Sequence, residues 1–279
     1  MFKLGFIDYY LDEWHANQYP QWIADASHGD MAVTHAFAEQ DSPRGGLSTR
    51  AWCEKYNVQP CQSIEELIAA CDGIIVLSPD HCERHLHLCE KPLACGKPVY
   101  VDKTFAPDLQ TAKQIFSFAE NSGTPCYTNS ALRCAEEYQA IDRKRIHSLC
   151  SWGPGVYENY SIHQIEPIMM LMNAPAKRVM ALPGEKWSSL VLEFADGRCA
   201  TMACYAEGSP FAMNLCLEGG NQLIEVKSDF FHTFIGQLVA FFRHPSEVVP
   251  HADTLRVMAV RGAGAEALLH PYEWIAVPQ

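Results

Sequence analysis

Short apolar runs alternate with amphipathic stretches along the first half of the chain. The apolar runs predict strands at residues 3–7, 32–38, 73–77, 99–101 and 125–128. The stretches between them predict helices at residues 14–26, 50–56, 63–70, 82–94 and 108–122. Continuously apolar strands that alternate with helices are typical of a parallel sheet covered on both faces. The pattern therefore predicts an α/β fold with an N-terminal, Rossmann-like doubly wound domain.

The pattern changes in the second half, where strand-like runs follow one another directly. Residues 189–194 and 198–205 flank the turn Ala195-Asp196-Gly197, and residues 211–217 and 222–226 flank Gly219-Gly220. Two closing helices are predicted at 231–242 and 254–269. We therefore expect a Rossmann-like domain over residues 1–128 and, over 129–279, an α+β substrate-binding and oligomerisation domain with a largely antiparallel sheet.

Composition narrows the possible partners. The chain of 279 residues is 48% hydrophobic and carries a net charge of −12, which argues against a nucleic-acid or anionic-membrane surface. The N-terminus enters a strand directly, and no apolar stretch is long enough to span a bilayer. The 12 cysteines include no C-x-x-C pair, which favours free thiols over a disulfide framework. We expect a cytoplasmic protein.

Lys103 is a candidate for chemistry because it directly follows the predicted strand 99–101. Ligands of open α/β sheets bind at the carboxyl ends of strands. A lysine there can hold a substrate hydroxyl or take part in proton transfer, although an ordinary surface lysine is the alternative.

The residues around Lys103 carry a resemblance to a known family. This family has the pattern T-P-x-x-x-H, a helix, and then A-G-K-H-V-x-x-E-K-P. The corresponding residues here, in the same order, are Ser78-Pro79, His85, the stretch from Cys95 to Val99, and Asp102-Lys103-Thr104, with a slightly longer loop between Pro79 and His85. This order resembles the Gfo/Idh/MocA family of glucose–fructose oxidoreductases and inositol dehydrogenases. The resemblance implies an NAD(P)-dependent oxidoreductase in which Lys103 is the active-site lysine.

A second stretch, ENYSIHQIEPIMMLM, resembles the family's D-x-x-x-H-x-x-D helix. His163 falls on its histidine and Glu166 on its second acid, whereas Asn159 replaces its first aspartate and removes one possible proton acceptor. A neutral imidazole is suited to take a hydroxyl proton, so the resemblance implies a catalytic His163; a structural histidine is the alternative. Residues 128–138 resemble a crossover segment of the family, and this resemblance makes Arg133 a substrate-binding residue. The resemblance of the second stretch implies the same role for Asn159 and Glu166.

The opening segment departs from the family. Its glycine-rich loop is replaced by Asp8-Tyr9-Tyr10-Leu11-Asp12-Glu13, whose carboxylates repel a pyrophosphate. The resemblance still assigns the dinucleotide, NAD or NADP, to Ile7, Glu39, Ser78, Pro79 and His85. Glu13-Trp14-His15 forms either a polar site of its own, with His15 facing substrate, or an amphipathic first helical turn. His81, His85 and His87 complete no familiar ligand set, so we expect no metal site.

Two functions follow as hypotheses. The first is an NAD(P)-dependent oxidoreductase of a sugar, polyol or related hydroxy compound, in which Lys103 and His163 contact the reacting carbinol. The second is a non-catalytic ligand-binding or regulatory relative that has lost dinucleotide binding. For either, we expect a small carbohydrate-like ligand and a homodimer or homotetramer.

Overall fold

The computed structural model describes residues 1–43, 45–206, 208–246 and 248–279. It divides into two units. The first contains residues 1–106, 110–129 and 232–250, and the second contains residues 107–109, 130–231 and 251–279. The described helices include none long and apolar enough to cross a membrane.

The first unit is built on a parallel sheet in the strand order β3-β2-β1-β4-β5-β6. Its strands are β1 Phe2–Asp8, β2 Met31–Ala38, β3 Gln59–Pro60, β4 Gly73–Val76, β5 Val99–Val101 and β6 Cys126–Tyr127. Its helices are α1 Trp14–Ala26, α2 Thr49–Tyr56, α3 Ile64–Ala70, α4 His85–Leu93 and α5 Leu109–Ser122. Most of α8, Phe230–Arg243, also belongs to this unit. The doubly wound prediction is confirmed.

The strands of this sheet are continuous apolar runs because helices cover both faces of the sheet. All four residues of β4 and all three of β5 are buried. The packing is close: a Cβ at Gly5 would lie 2.5 Å from Leu67 Cδ2, so β1 admits only glycine against α3 at this position. The functional consequence is that the carboxyl ends of β1, β2, β4 and β5 lie at one edge.

The second unit is built on a mixed sheet in the order β12-β11-β7-β10-β9-β8-β13. Its strands are β7 Ile146–Pro154, β8 Ala176–Pro183, β9 Trp187–Phe194, β10 Cys199–Tyr205, β11 Ala212–Leu217, β12 Gly220–Glu225 and β13 Trp274–Ala276. Its helices are α6 Glu136–Gln139, α7 Tyr157–Met172 and α9 His251–Leu269. The predicted hairpins are β9–β10 and β11–β12. The β10–β7 pair is parallel, so the sheet is largely but not wholly antiparallel.

Candidate functional site

Asp102 is the centre of a buried polar cluster at the carboxyl edge of the first unit's sheet. It follows β5 directly and is fully buried. One carboxylate oxygen, Oδ2, hydrogen-bonds to Nδ1 of His15. The other, Oδ1, accepts from the Tyr100 hydroxyl at 3.1 Å and from the Lys103 backbone N–H at 2.8 Å. Asp102 therefore links the first turn of α1 to the segment that carries Lys103.

The electrostatics of this cluster keep Asp102 ionised. Burial raises the pKa of its carboxyl group, but the neighbouring His15 and Lys103 outweigh burial and lower the pKa below its ordinary value. The His15 ring stacks on Tyr19 at 5.0 Å, and its Nδ1 lies 3.2 Å from the Tyr19 hydroxyl. Trp14 contacts the same ring edge-on at 5.3 Å.

Lys103 lies beside this cluster and is 9% exposed. Its Nζ donates to the carbonyl oxygen of Pro79, 3.4 Å away, in the segment that follows β4. The peptide bond from Lys103 to Thr104 is cis. The ammonium group is thus placed between the ends of β4 and β5, where the strand pattern predicted it.

The opening turn is stabilised by its own carboxyl groups. Glu13 caps α1, because its side chain accepts the backbone N–H of His15 at 2.7 Å and that of Ala16. Burial, with a contribution from Asp8, raises the pKa of Glu13 well above its ordinary value. Asp8 Oδ1 accepts from the Tyr9 N–H at 2.6 Å and the Ser78 hydroxyl at 2.9 Å. Burial raises the Asp8 pKa to about 8.

These residues do not fit the pyrophosphate of a dinucleotide at this turn. A pyrophosphate needs free backbone N–H groups at a helix N-terminus. Here the side chain of Glu13 already accepts those of His15 and Ala16. A buried acid, Asp8, has an oxygen, Oδ2, that makes no hydrogen bond within the described parts of the chain. The phosphate groups of the family's cofactor would therefore meet the carboxyl groups of Glu13 and Asp8 instead of free N–H donors.

The outer surface of the same edge consists of side chains in mutual contact. The ring of His81 lies 5.0 Å from that of Tyr9 and 5.7 Å from that of Tyr10. The Arg84 guanidinium lies over the Tyr9 ring at 4.4 Å. Glu39, which follows β2, is paired with Arg84 at 3.9 Å and with His87 at 3.3 Å. Glu39 also borders an open groove of about 970 Å³ along β3 and α2.

The other residues that the resemblance assigns to the dinucleotide lie beneath the surface at the carboxyl edge of the first unit's sheet. Ile7, Ser78, Pro79 and His85 are all buried. The His85 ring lies between the carbonyl oxygens of Leu77, 2.5 Å from Nε2, and Phe105, 3.0 Å from Nδ1. Burial lowers its pKa. His85 thus connects two main-chain segments beneath the edge.

A second polar cluster forms in the other unit, on α7. The Ser130 hydroxyl lies 2.7 Å from Nδ1 of His163, and the Ser130 N–H donates to Glu166 Oε2 at 2.6 Å. Arg133 lies 3.6 Å from Glu166 Oε1 and 3.5 Å from Asp253 Oδ2. The structure therefore brings together His163, Glu166 and Arg133, three of the residues predicted from the sequence.

Burial dominates the electrostatics of this cluster. It raises the pKa of Glu166 to about 7, against the opposing effects of Arg133 and the Ser130 N–H. His163 is half-buried, with Tyr160 and Phe211 at its ring edges. Asn159 lies one helical turn before His163 on α7 and is also half-buried.

The sequence did not reveal that Asp102 and His15 are paired. The sequence pattern indicates both residues, Asp102 beside the lysine and His15 in the opening turn, but they are 87 positions apart. The available signal was topological, because β1 and β5 end at the same edge of a parallel sheet. Among the described residues, no group of three or more metal-ligating side chains is placed to hold a metal ion.

Residues 18–130 match the family model described as the GFO_IDH_MocA oxidoreductase family with an NAD-binding Rossmann fold. The match begins after the opening turn. A comparison with curated proteins finds no significant match.

Solved structures share the fold across nearly the whole chain. A probable dehydrogenase from Thermotoga maritima is 13% identical, with TM-score 0.80 and 99% and 98% of the two chains covered. Myo-inositol 2-dehydrogenase from Lactobacillus plantarum is 13% identical, with TM-score 0.81 and 99% of each chain covered. Scyllo-inositol dehydrogenase from Lactobacillus casei, solved with NAD(H) and scyllo-inositol, is 14% identical, with TM-score 0.80 and 99% of each chain covered. Over residues 18–130 the chain therefore matches the family that the motifs predicted, the Gfo/Idh/MocA oxidoreductases with an NAD-binding Rossmann fold.

Proposed function

We propose that this chain is an oxidoreductase of a sugar- or polyol-like hydroxy compound, in which Lys103 and His163 serve the reacting carbinol. The observation that carries the proposal is the assembled cluster of His163, Ser130, Glu166 and Arg133. Support also comes from the family, whose description is that of NAD-binding oxidoreductases, and from the similar fold of a protein solved with scyllo-inositol.

Each residue has a role that its surroundings suit. The imidazole of His163, with Nδ1 at the Ser130 hydroxyl, can exchange a proton with a substrate hydroxyl. Glu166, Arg133 and Asn159 offer hydrogen bonds to neighbouring hydroxyl groups. The ammonium of Lys103 donates to the carbinol oxygen and stabilises negative charge that develops there. When bound, NAD or NADP supplies the hydride acceptor; we propose that the opening turn does not hold its pyrophosphate.

A second candidate function is a polyol-binding relative that no longer binds a dinucleotide. The carboxylate of Glu13 favours it, because that side chain occupies the backbone N–H groups that the family uses for phosphate.

Calorimetric titration separates the two candidates. NAD+, NADH, NADP+ and NADPH are titrated to millimolar concentration, followed by myo-inositol and scyllo-inositol. The oxidoreductase proposal predicts that at least one dinucleotide binds. In that case Lys103→Met and His163→Asn should each lower turnover about 100-fold while changing dinucleotide affinity less than about threefold. No binding by any of the four dinucleotides would overturn the first candidate in favour of the second.

A further inference from the structure

The pairing of His15 with Asp102 determines which ring nitrogen carries hydrogen. The carboxylate of Asp102 can only accept, so the Nδ1 that contacts it carries the hydrogen. In the neutral ring the lone pair is then on Nε2. This is the arrangement by which an aspartate orients a histidine to act as a base.

The remaining nitrogen of His15 is available. The residue is 7% exposed, and within the described parts of the chain Nε2 makes no hydrogen bond. The ring itself is held on both sides, stacked on Tyr19 and contacted by Trp14. A buried, oriented imidazole with one open nitrogen is typical of an acid–base group.

The opening turn positions this histidine. Glu13 accepts the backbone N–H of His15, while Asp102 fixes its side chain. The acids that make this turn unsuitable for a pyrophosphate thus hold His15 in place. The titratable groups around the ring are Glu13, Tyr19, Tyr100, Asp102 and Lys103.

We propose that His15 is a catalytic acid–base residue, which accepts the hydroxyl proton of a substrate at Nε2. In this step the O–H bond breaks and the proton bonds to Nε2, leaving an imidazolium beside the Asp102 carboxylate. The alkoxide is stabilised by the ammonium of Lys103, the residue next to Asp102 in the chain. The identity of the substrate as a hydroxy compound rests on the proposed function.

The first test reads the ring itself and needs no substrate. Nitrogen-15 NMR of the histidine-labelled wild-type protein, with His15 assigned by the signal that His15→Gln removes, reports which nitrogen of the neutral ring is protonated. The proposal predicts hydrogen on Nδ1 and an unprotonated Nε2. Hydrogen on Nε2 would overturn it, whatever the outcome of the proposed function.

The second test measures the reactivity of Nε2. Diethyl pyrocarbonate modifies unprotonated histidine, and peptide mass spectrometry compares His15 with the exposed His147 in the same sample. We expect His15 to react, and Asp102→Asn to lower its reactivity relative to His147, because the ring loses the carboxylate that orients it and holds hydrogen on Nδ1. An unreactive His15 beside a reactive His147, or an unchanged relative reactivity in a folded variant, contradicts the proposal. If Asp102→Asn does not fold, the NMR result decides.

The third test applies once turnover of a polyol is found. His15→Gln should lower turnover about 100-fold with KM within about threefold, whereas His147→Gln leaves both unchanged. Turnover within about threefold of wild type in His15→Gln excludes the catalytic role. If neither a dinucleotide nor a polyol binds, the proposed function fails, while the NMR and modification results still decide whether Nε2 is an open base.

Discussion

Four acids that are buried or partly buried in this chain differ in charge state because their partners differ. Asp102 has a histidine, a hydroxyl and a backbone N–H around it, and its pKa falls. Burial has the larger effect at the other three acids, Asp8, Glu13 and Glu166. Their hydrogen-bond partners do not offset it, so their pKa values rise. The residue type alone therefore does not predict the charge; the local donors decide it.

Glu166 gives a prediction about pH and stability. Its pKa of about 7 in the folded chain lies above the ordinary value of 4.5. Below pH 4 the Glu166 carboxyl group is protonated in both the folded and the unfolded chain. Between pH 4.5 and about 7 it is ionised in the unfolded chain but still protonated in the folded one. The free energy of unfolding of the wild type therefore falls as the pH rises through this range. Glu166→Gln removes this titration. We therefore expect the stability of the variant relative to wild type to increase by about 3 kcal/mol from pH 5 to pH 8.

Urea unfolding followed by circular dichroism measures this difference. Glu158→Gln, an exposed position on the same helix, is the matched control and should show no comparable change with pH. A relative stability of Glu166→Gln that stays constant from pH 5 to pH 8 would show that burial does not raise the pKa of Glu166.

At the scale of elements, local sequence signals predicted those helices and turns that depend on residues close together in the chain. The helix predicted from residue 63 begins with a capping box: the Ser63 hydroxyl accepts the Glu66 N–H at 3.2 Å, and Glu66 Oε2 accepts the N–H of Gln62 at 2.6 Å. Helix α7 runs through Pro167 from Tyr157 to Met172, although proline disfavours helical geometry at Glu166. Burial of nearly its whole last half outweighs that local preference.

The Ser63 cap leads to a prediction about the stability of α3. Ser63→Ala leaves the Glu66 N–H without its acceptor and should lower the free energy of unfolding by about 1 kcal/mol. Thermal and urea unfolding measure the loss. Ser117→Ala, within α5, is the comparison and should change stability by less than about 0.5 kcal/mol. Equal effects of the two substitutions would contradict a capping role.

The strands β3, β7, β8 and β13 were not predicted. β7 depends on pairing with a distant segment, because it lies parallel to β10 and its Ser148 opposes Cys199, whereas β8 forms a hairpin with β9. Alternation along one strand is a weak signal when its partner lies outside a hairpin.

At the scale of the whole molecule, the second sheet has one face packed on α7 and α9. Its other face carries a row of neighbouring side chains that are not fully buried, formed by Asn214, Cys150, Thr201, Val191 and Met180. An uncovered, partly apolar sheet face favours self-association, and we propose that two copies pair through it.

Light scattering tests this assembly. The wild type should have a mass that is a multiple of the 31.2 kDa monomer. Thr201→Lys places a charge at the centre of the row and should shift the protein toward monomer, because a buried unpaired charge opposes association. Lys177→Glu, at an exposed position of β8, is the control. A wild type that stays monomeric at every concentration would contradict the proposal.

The sequence by itself determined the doubly wound sheet, the two hairpins, and the positions of Lys103 and His163. Apolar periodicity, helix caps and turns are local properties, and the order of the motifs can be read directly from the sequence. Only the tertiary structure decided what the opening turn does. It placed Glu13 on the N-terminus of α1 and brought His15 to Asp102, across 87 positions. The physical reason is that hydrogen-bond partners and burial, which set charge and proton position, depend on segments that meet only in the folded chain.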